Sequence, residues 1–121
     1  MKIFVCHSSN YDFQNELYGP LLESELNNKH EIFLPQKDGL ETVTHDVIKN
    51  SDVVIAEVSY PSTGQGIELG WADIFKKPII CIHKKDKLAS RSLKKITNRF
   101  IEYKNEEDMI RKLEDAIANH R

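Results

Sequence analysis

The chain has 121 residues, 40% of them hydrophobic, enough for one buried core and too few for two. Its formal net charge is −2 with acids and bases interspersed, so no overall field selects nucleic acid or an acidic membrane surface. Both cysteines, Cys6 and Cys81, fall in apolar runs, where free thiols in a reducing cytosol account for them better than a disulfide.

Residues 2–6 form a first apolar run, too short for a signal peptide, and no run approaches transmembrane length. A cytoplasmic protein without membrane contact is the expectation. The run is predicted to be a strand, broken by the turn and capping cluster His7-Ser8-Ser9-Asn10. From residue 11 to about 28, Phe13, Leu17, Leu21, Leu22 and Leu26 recur at helical spacing. Pro20 lies inside that pattern and should kink or split the helix near Gly19. Residues 31–34 read as a second strand ended by Pro35, and residues 41–50 as a short helix with Val43, Val47 and Ile48 inward. The unbroken apolarity of residues 53–58 predicts a third strand buried on both faces.

A turn of small residues follows, Tyr60-Pro61-Ser62-Thr63-Gly64-Gln65-Gly66, opening a helix that runs through Glu68 to Lys76 or Lys77. Pro78 starts a fourth strand at residues 79–82, residues 99–103 read as a fifth, and residues 106–119 close the chain as an amphipathic helix. Strand and helix alternate five times. This pattern predicts one three-layer, flavodoxin-like (Rossmann-like) domain over residues 1–121. Its sheet has five parallel strands in the order 2-1-3-4-5, with helices on both faces.

In that order the carboxyl ends of strands 1 and 3 flank a crevice, the usual ligand position in such sheets. The loop at residues 7–11 brings His7, Ser8, Ser9, Asn10 and Tyr11 to it. The loop at residues 59–68 brings Ser59, Ser62, Thr63, the carboxylates of Glu57 and Glu68, and two glycines, Gly64 and Gly66, that let the backbone approach a ligand. Helix-opening N–H groups beside hydroxyls suit a small polar ligand with a phosphate or a sugar.

Glu68 is out of place in a simple phosphate cradle. An unperturbed glutamate titrates near ~4.3 and is ionised at neutral pH, and a helix N-terminus favours the anion by roughly 0.3–1 kcal/mol. Such a group serves as nucleophile, base or hydroxyl acceptor rather than proton donor, although acids are common in first turns with no further role. Ser62 is either a phosphate ligand or only the helix cap. The five histidines show no paired metal-ligand spacing, so no metal or cofactor is expected. Trp71 either stacks on a base or belongs to the core. The lysine-rich stretch between strands 4 and 5 reads as a solvated loop that could assist an anion. Gly64-x-Gly66 lacks both the Walker lysine and the full dinucleotide fingerprint.

Ser51-Asp52-Val53-Val54-Ile55-Ala56-Glu57-Val58-Ser59, followed by Pro61-Ser62-Thr63-Gly64-Gln65-Gly66-Ile67-Glu68-Leu69-Gly70, resembles the nucleoside 2-deoxyribosyltransferase superfamily. The likeness is greatest to its 2'-deoxynucleoside 5'-monophosphate N-glycosidase branch. The resemblance implies that Glu68 attacks the anomeric carbon of a deoxyribose and displaces the base, after which water releases the sugar. It implies that Ser62 binds the 5'-phosphate, helped by a serine after strand 4 of a neighbouring subunit. Ser92 has the matching spacing, so a homodimer with a shared site is expected.

The chain also departs from the pattern. His7-Ser8-Ser9-Asn10 replaces a loop with glycine and arginine, and Phe4 stands where a tyrosine is usual, with Tyr11 a spatial substitute. The superfamily's helix-2 aspartate, eight residues before Asp52, falls on Thr44. Asp46 is the nearest acid, about 200° around a continuous helix from that position. The expected function is an N-glycosidase acting on a deoxynucleoside 5'-monophosphate or related nucleoside. Base exchange, a non-catalytic nucleotide-binding or sensing module, and a flavodoxin-like interaction domain are the alternatives.

Overall fold

The five apolar runs are the five strands β1 (Lys2–His7), β2 (Glu31–Phe33), β3 (Val53–Glu57), β4 (Ile79–Lys84) and β5 (Phe100–Tyr103). They are seen in a computed structural model of the protein that describes residues 1–37 and 45–120. Every pairing is parallel, and the order is β2-β1-β3-β4-β5, as expected. The helices are α1 (Gly19–Leu22), α2 (Glu25–Lys29), α3 (His45–Lys49), α4 (Thr63–Ile74) and α5 (Glu106–Ala118).

Strand alternation divides the core into two layers. Ile3, Val5, Val53, Ile55, Ile80 and Ile82 pack with Leu17, Leu21 and the α5 residues Met109, Leu113 and Ile117. On the other face Phe4, Cys6, Val54, Ala56, Ile79 and Cys81 pack with Ile48 of α3 and with Leu69 and Ala72 of α4. Each fully buried large aliphatic side chain contributes about 1.5–3 kcal/mol. β3 is buried at every residue because both layers cover it, which is why its sequence does not alternate.

Pro20 does not break the first helix: Phe13, Tyr18 and Gly19 all keep right-handed helical dihedrals, and the turn before the proline widens to a π-helix. A π-helical turn at Gln14–Tyr18 ends with the Gly19 N–H on the Gln14 carbonyl, and α1 begins with Pro20 in its first turn. The break falls instead at Ser24, whose backbone is extended and whose Oγ donates to the Leu21 carbonyl before α2 starts. α4 stops at Ile74, short of Lys76. Lys76 has φ of 58°, and the N–H groups of Lys76 and Lys77 donate back to Asp73 and Ala72, a left-handed C-terminal cap. The amino-terminal part of the helix expected at 41–50, with Val43 and Thr44, lies outside the described residues. Cys6 and Cys81 are buried free thiols, and burial pushes the Cys81 thiol up to about 12. No described helix is long and apolar enough to cross a membrane.

Candidate active site

The register aligns His7 at the end of β1 with Glu57 at the end of β3, so the two following loops meet. Between them is a cavity of about 340 Å³. The loop after β1 supplies His7, Ser9 and Asn10, and the start of α4 supplies Ser62, Gly64, Gln65 and Glu68. A third wall, Pro35 and Gln36 after β2, was not foreseen.

Helix α4 opens on Ser62, whose backbone is extended and whose Oγ accepts the Gln65 N–H at 3.3 Å. The Ser62 carbonyl accepts the Gly66 N–H at 3.1 Å. Helical geometry leaves the N–H groups of Thr63 and Gly64 without an acceptor inside α4. Gln65 is buried and its Nε2 donates to the Glu57 carbonyl at 2.6 Å, fastening the helix start to the end of β3. The cap and the glutamine thus set where Ser62 and Glu68 sit.

Glu68 is half-buried and is the only acidic or basic side chain around this cavity, apart from His7, among the described residues. Burial raises its carboxyl above the ordinary range, and the nearby Cys6 thiol, which donates to the Gln65 carbonyl at 3.7 Å, opposes that rise. Burial also lowers the pKa of His7, against a smaller opposing effect of the Ser8 carbonyl. Because α4 begins at Thr63, Glu68 lies in its second turn and not, as expected, in the first, which holds no acid. Its raised carboxyl comes from burial, and the free N–H groups at the helix start form a separate, anion-compatible end of the cavity.

Ser9, Ser62, Gly64 and Glu68 are therefore brought together. Ser8 is buried, and its Oγ accepts the Asn10 N–H at 3.0 Å, shaping the loop. Gly66 is exposed, and a Cβ built at either Gly64 or Gly66 would meet nothing within 4 Å. Tyr11 is stacked on Tyr60 at 4.9 Å, outside the cavity lining. Asp46 is exposed on α3 with its carboxylate 3.4 Å from His45, whose ring lies 5.8 Å from that of Trp71. It does not line the cavity. Trp71 is half-buried against the α4-side core. Ser92 is exposed in a 3₁₀ turn, Arg91–Lys95.

Glu57 does not share the crevice with Glu68, contrary to the expectation. Alternation along β3 turns it to the side of Val53 and Ile55. There its buried carboxylate accepts the Ser59 N–H at 2.6 Å, the Ser59 hydroxyl at 3.0 Å and the Tyr103 hydroxyl. In the lysine-rich stretch, Lys84 is engaged, donating to Glu16 at 2.6 Å and to the Tyr60 hydroxyl at 3.1 Å. Tyr18, Gln36 and Gln65 were not singled out in the sequence. Tyr18 reads as one more core position of an amphipathic helix, and an uncharged glutamine carries no signal until its partner is known.

No family model matches the chain. The CMP N-glycosidase BcmB of Clostridium botulinum superposes with a TM-score of 0.67 at 27% identity, covering 94% of this chain and 99% of that one. The 2-deoxyribosyltransferase of Bacillus psychrosaccharolyticus superposes with a TM-score of 0.65 at 19% identity, covering 90% of each. The chain thus has the deoxyribosyltransferase fold.

In sequence it is similar to 2'-deoxynucleoside 5'-phosphate N-hydrolases. A curated relative carrying that name as putative, from Thermofilum pendens, is 33% identical over 76 residues, which are 59% of this chain and 53% of the relative. A 5-hydroxymethyl-dUMP N-hydrolase of Branchiostoma floridae is 49% identical over 39 residues, 32% of this chain and 37% of that protein. The chain therefore spans between about a third and a half of the length of these curated relatives.

Proposed function

We propose that this protein is an N-glycosidase that cleaves the base–sugar bond of a deoxynucleoside 5'-monophosphate or a related nucleoside, with Glu68 as nucleophile. The observation that carries this reading is the Glu68 carboxylate, half-buried and raised in pKa, in a cavity that also holds Ser62 and the opening N–H groups of α4. In the first step a Glu68 oxygen forms a bond to the anomeric carbon while the C–N bond breaks and its electron pair leaves with the base. In the second step a water oxygen bonds to the same carbon as its bond to the Glu68 oxygen breaks, which releases the sugar and regenerates the carboxylate. The proton that water loses balances the departed base anion. Ser62, Ser9 and the backbone at Gly64 hold the 5' end through neutral donors, and the similarity to nucleotide N-hydrolases supports a phosphate there.

The working unit in this reading is a cytoplasmic homodimer in which a second copy brings Ser92 to the site. In support, Ser92 is exposed and the neighbouring Leu88 is 91% exposed. Release of free base from a panel of deoxynucleoside monophosphates tests the activity. Wild type that releases none overturns it, and so does an equally active Glu68→Ala variant. Base exchange is separated by adding a second free base and looking for a new nucleoside. Asp46, exposed and off the cavity, favours a second reading, a binding module without turnover. Saturable nucleotide binding without base release would identify that module.

A further inference from the structure

A directional hydrogen-bond chain, not used in the proposed reaction, runs behind the cavity. His7 Nδ1 lies 2.8 Å from the Ser8 carbonyl oxygen, which can only accept, so Nδ1 carries the proton. Burial lowers the pKa of the ring, and in the neutral ring with its proton on Nδ1 the other nitrogen, Nε2, is an acceptor. The Tyr18 hydroxyl is 2.6 Å from Nε2 and donates to it. The same hydroxyl oxygen accepts the backbone N–H of Gln36 at 3.0 Å. The order is therefore Gln36 N–H to Tyr18, Tyr18 O–H to His7, and His7 N–H to Ser8.

This order has two consequences. Both imidazole nitrogens are engaged, so His7 offers a ligand no free nitrogen for acid or base work. The two ends of the bridge, His7 and Gln36, both line the cavity, while Tyr18 is buried behind it at 5% exposure. Phe13 holds the imidazole from the side, its ring centroid 4.4 Å away. A second link between the two loops, Gln36 Nε2 to Ser9 Oγ at 2.9 Å, is exposed to solvent, where a hydrogen bond competes with water and holds less firmly.

We propose that Tyr18 is a positioning residue of this site, its hydroxyl locking the end of β1 to the loop after β2 by bridging His7 and Gln36 at the cavity that Glu68 lines. The reaction being positioned rests on the glycosidase reading; the lock itself does not and can be tested without turnover.

Long-range ¹⁵N–¹H correlation spectra of the wild-type protein at neutral pH should show His7 protonated at Nδ1 and bare at Nε2. The opposite tautomer overturns the proposal. Tyr18→Phe keeps the ring in the core and removes only the hydroxyl. Amide exchange at Gln36 should then become at least about tenfold faster, while α5 amides keep their protection. In base release from deoxycytidine 5'-monophosphate, KM should rise by a larger factor than kcat falls. Unchanged Gln36 exchange overturns the proposal, as does unchanged KM in an active enzyme. Wild type that releases no base from any monophosphate counts against the glycosidase reading, and the tautomer and Gln36 exchange then decide the lock on their own.

Discussion

The Tyr103 hydroxyl donates to the Glu57 carboxylate, tying the edge strand β5 to the strand that feeds the glycine turn. Ser59 completes the tie. Its N–H and hydroxyl both reach Glu57, and its Oγ accepts the Lys84 N–H of β4 at 2.8 Å. Three neighbouring strands thus share one buried acid at their carboxyl ends, just behind the loop that delivers Ser62 and Glu68. These hydrogen bonds hold that loop from below, beside the apolar packing of Val58 and the stacking of Tyr60 on Tyr11.

Removing one donor should therefore cost stability. Leaving a buried acceptor without its donor costs about 1–3 kcal/mol. Tyr103→Phe leaves the ring in place and should lower the unfolding free energy by about that amount in chemical denaturation. Glu57→Ala should cost more, about 3 kcal/mol or above, because it strands Ser59 and Tyr103 together and opens a void. Equal stability of Tyr103→Phe and wild type would contradict this account.

Tyr11 presents the opposite case. Its hydroxyl is buried with no hydrogen-bond partner among the described residues, and burial, with Glu57 and Glu16 nearby, raises its pKa strongly. An unsatisfied buried hydroxyl costs about 1–3 kcal/mol, so Tyr11→Phe should raise the unfolding free energy by about 1 kcal/mol. Its stacking on Tyr60 would survive. Thermal melts of the two proteins under one condition check the sign. A loss of base release in the variant would instead show that the hydroxyl meets substrate.

For Glu68 stability and activity should move in opposite directions. Burial raises its folded pKa above the unfolded value of about 4.3. Between those two values the folded state binds more protons, so the Glu68 contribution falls as pH rises through the window and stays low above it. Glu68→Gln removes the desolvated charge. Its stability advantage over wild type should be absent below about pH 4 and full above the folded pKa. Base release should drop by at least about 10³-fold in the same variant, the scale of losing a nucleophile. In wild type, activity should rise with pH as Glu68 ionises. A variant less stable than wild type at neutral pH would refute the electrostatic account.

Legibility differed between the sheet and the site for physical reasons. Runs such as Val53-Val54-Ile55-Ala56 need only hydrophobic burial to be strands, and their alternation with helices set the order of the sheet. Pro20 is absorbed by a π-helical turn at Gln14–Tyr18 without breaking the helix. The break at Ser24 depends on one serine hydroxyl choosing the Leu21 carbonyl, a local contest with no apolar signature. Glu68 and Ser62 were legible because the turn chemistry that places them is contiguous in sequence. Gln36 and Tyr18 were not, because their partners are distant in sequence: the bridge from Gln36 through Tyr18 to His7 spans the loop after β2, the π-helical turn and β1. Glu57 faces away from the crevice because the two-residue alternation of β3 continues through it, setting it with Val53 and Ile55 and opposite Ala56 and Val58.

The glycines supply a test of ligand approach that does not depend on knowing the ligand. A Cβ at Gly64 or at Gly70 would meet nothing in the protein, so neither glycine is required by packing of the chain on itself. Both lie in α4, where glycine costs about 0.5–1 kcal/mol relative to alanine. Gly64→Ala and Gly70→Ala should each raise the unfolding free energy, the interior Gly70 by up to that amount and Gly64, in the first turn, by less. Only Gly64 lines the cavity. A methyl group there would occupy the space through which a substrate reaches the Thr63 and Gly64 N–H groups. KM for a monophosphate substrate should therefore rise about tenfold or more in Gly64→Ala, equivalent to about 1.4 kcal/mol of lost binding, and stay near wild type in Gly70→Ala. Equal KM values in the two variants would show that the substrate does not approach the backbone at Gly64 and would move the 5' end of the substrate to another wall of the cavity.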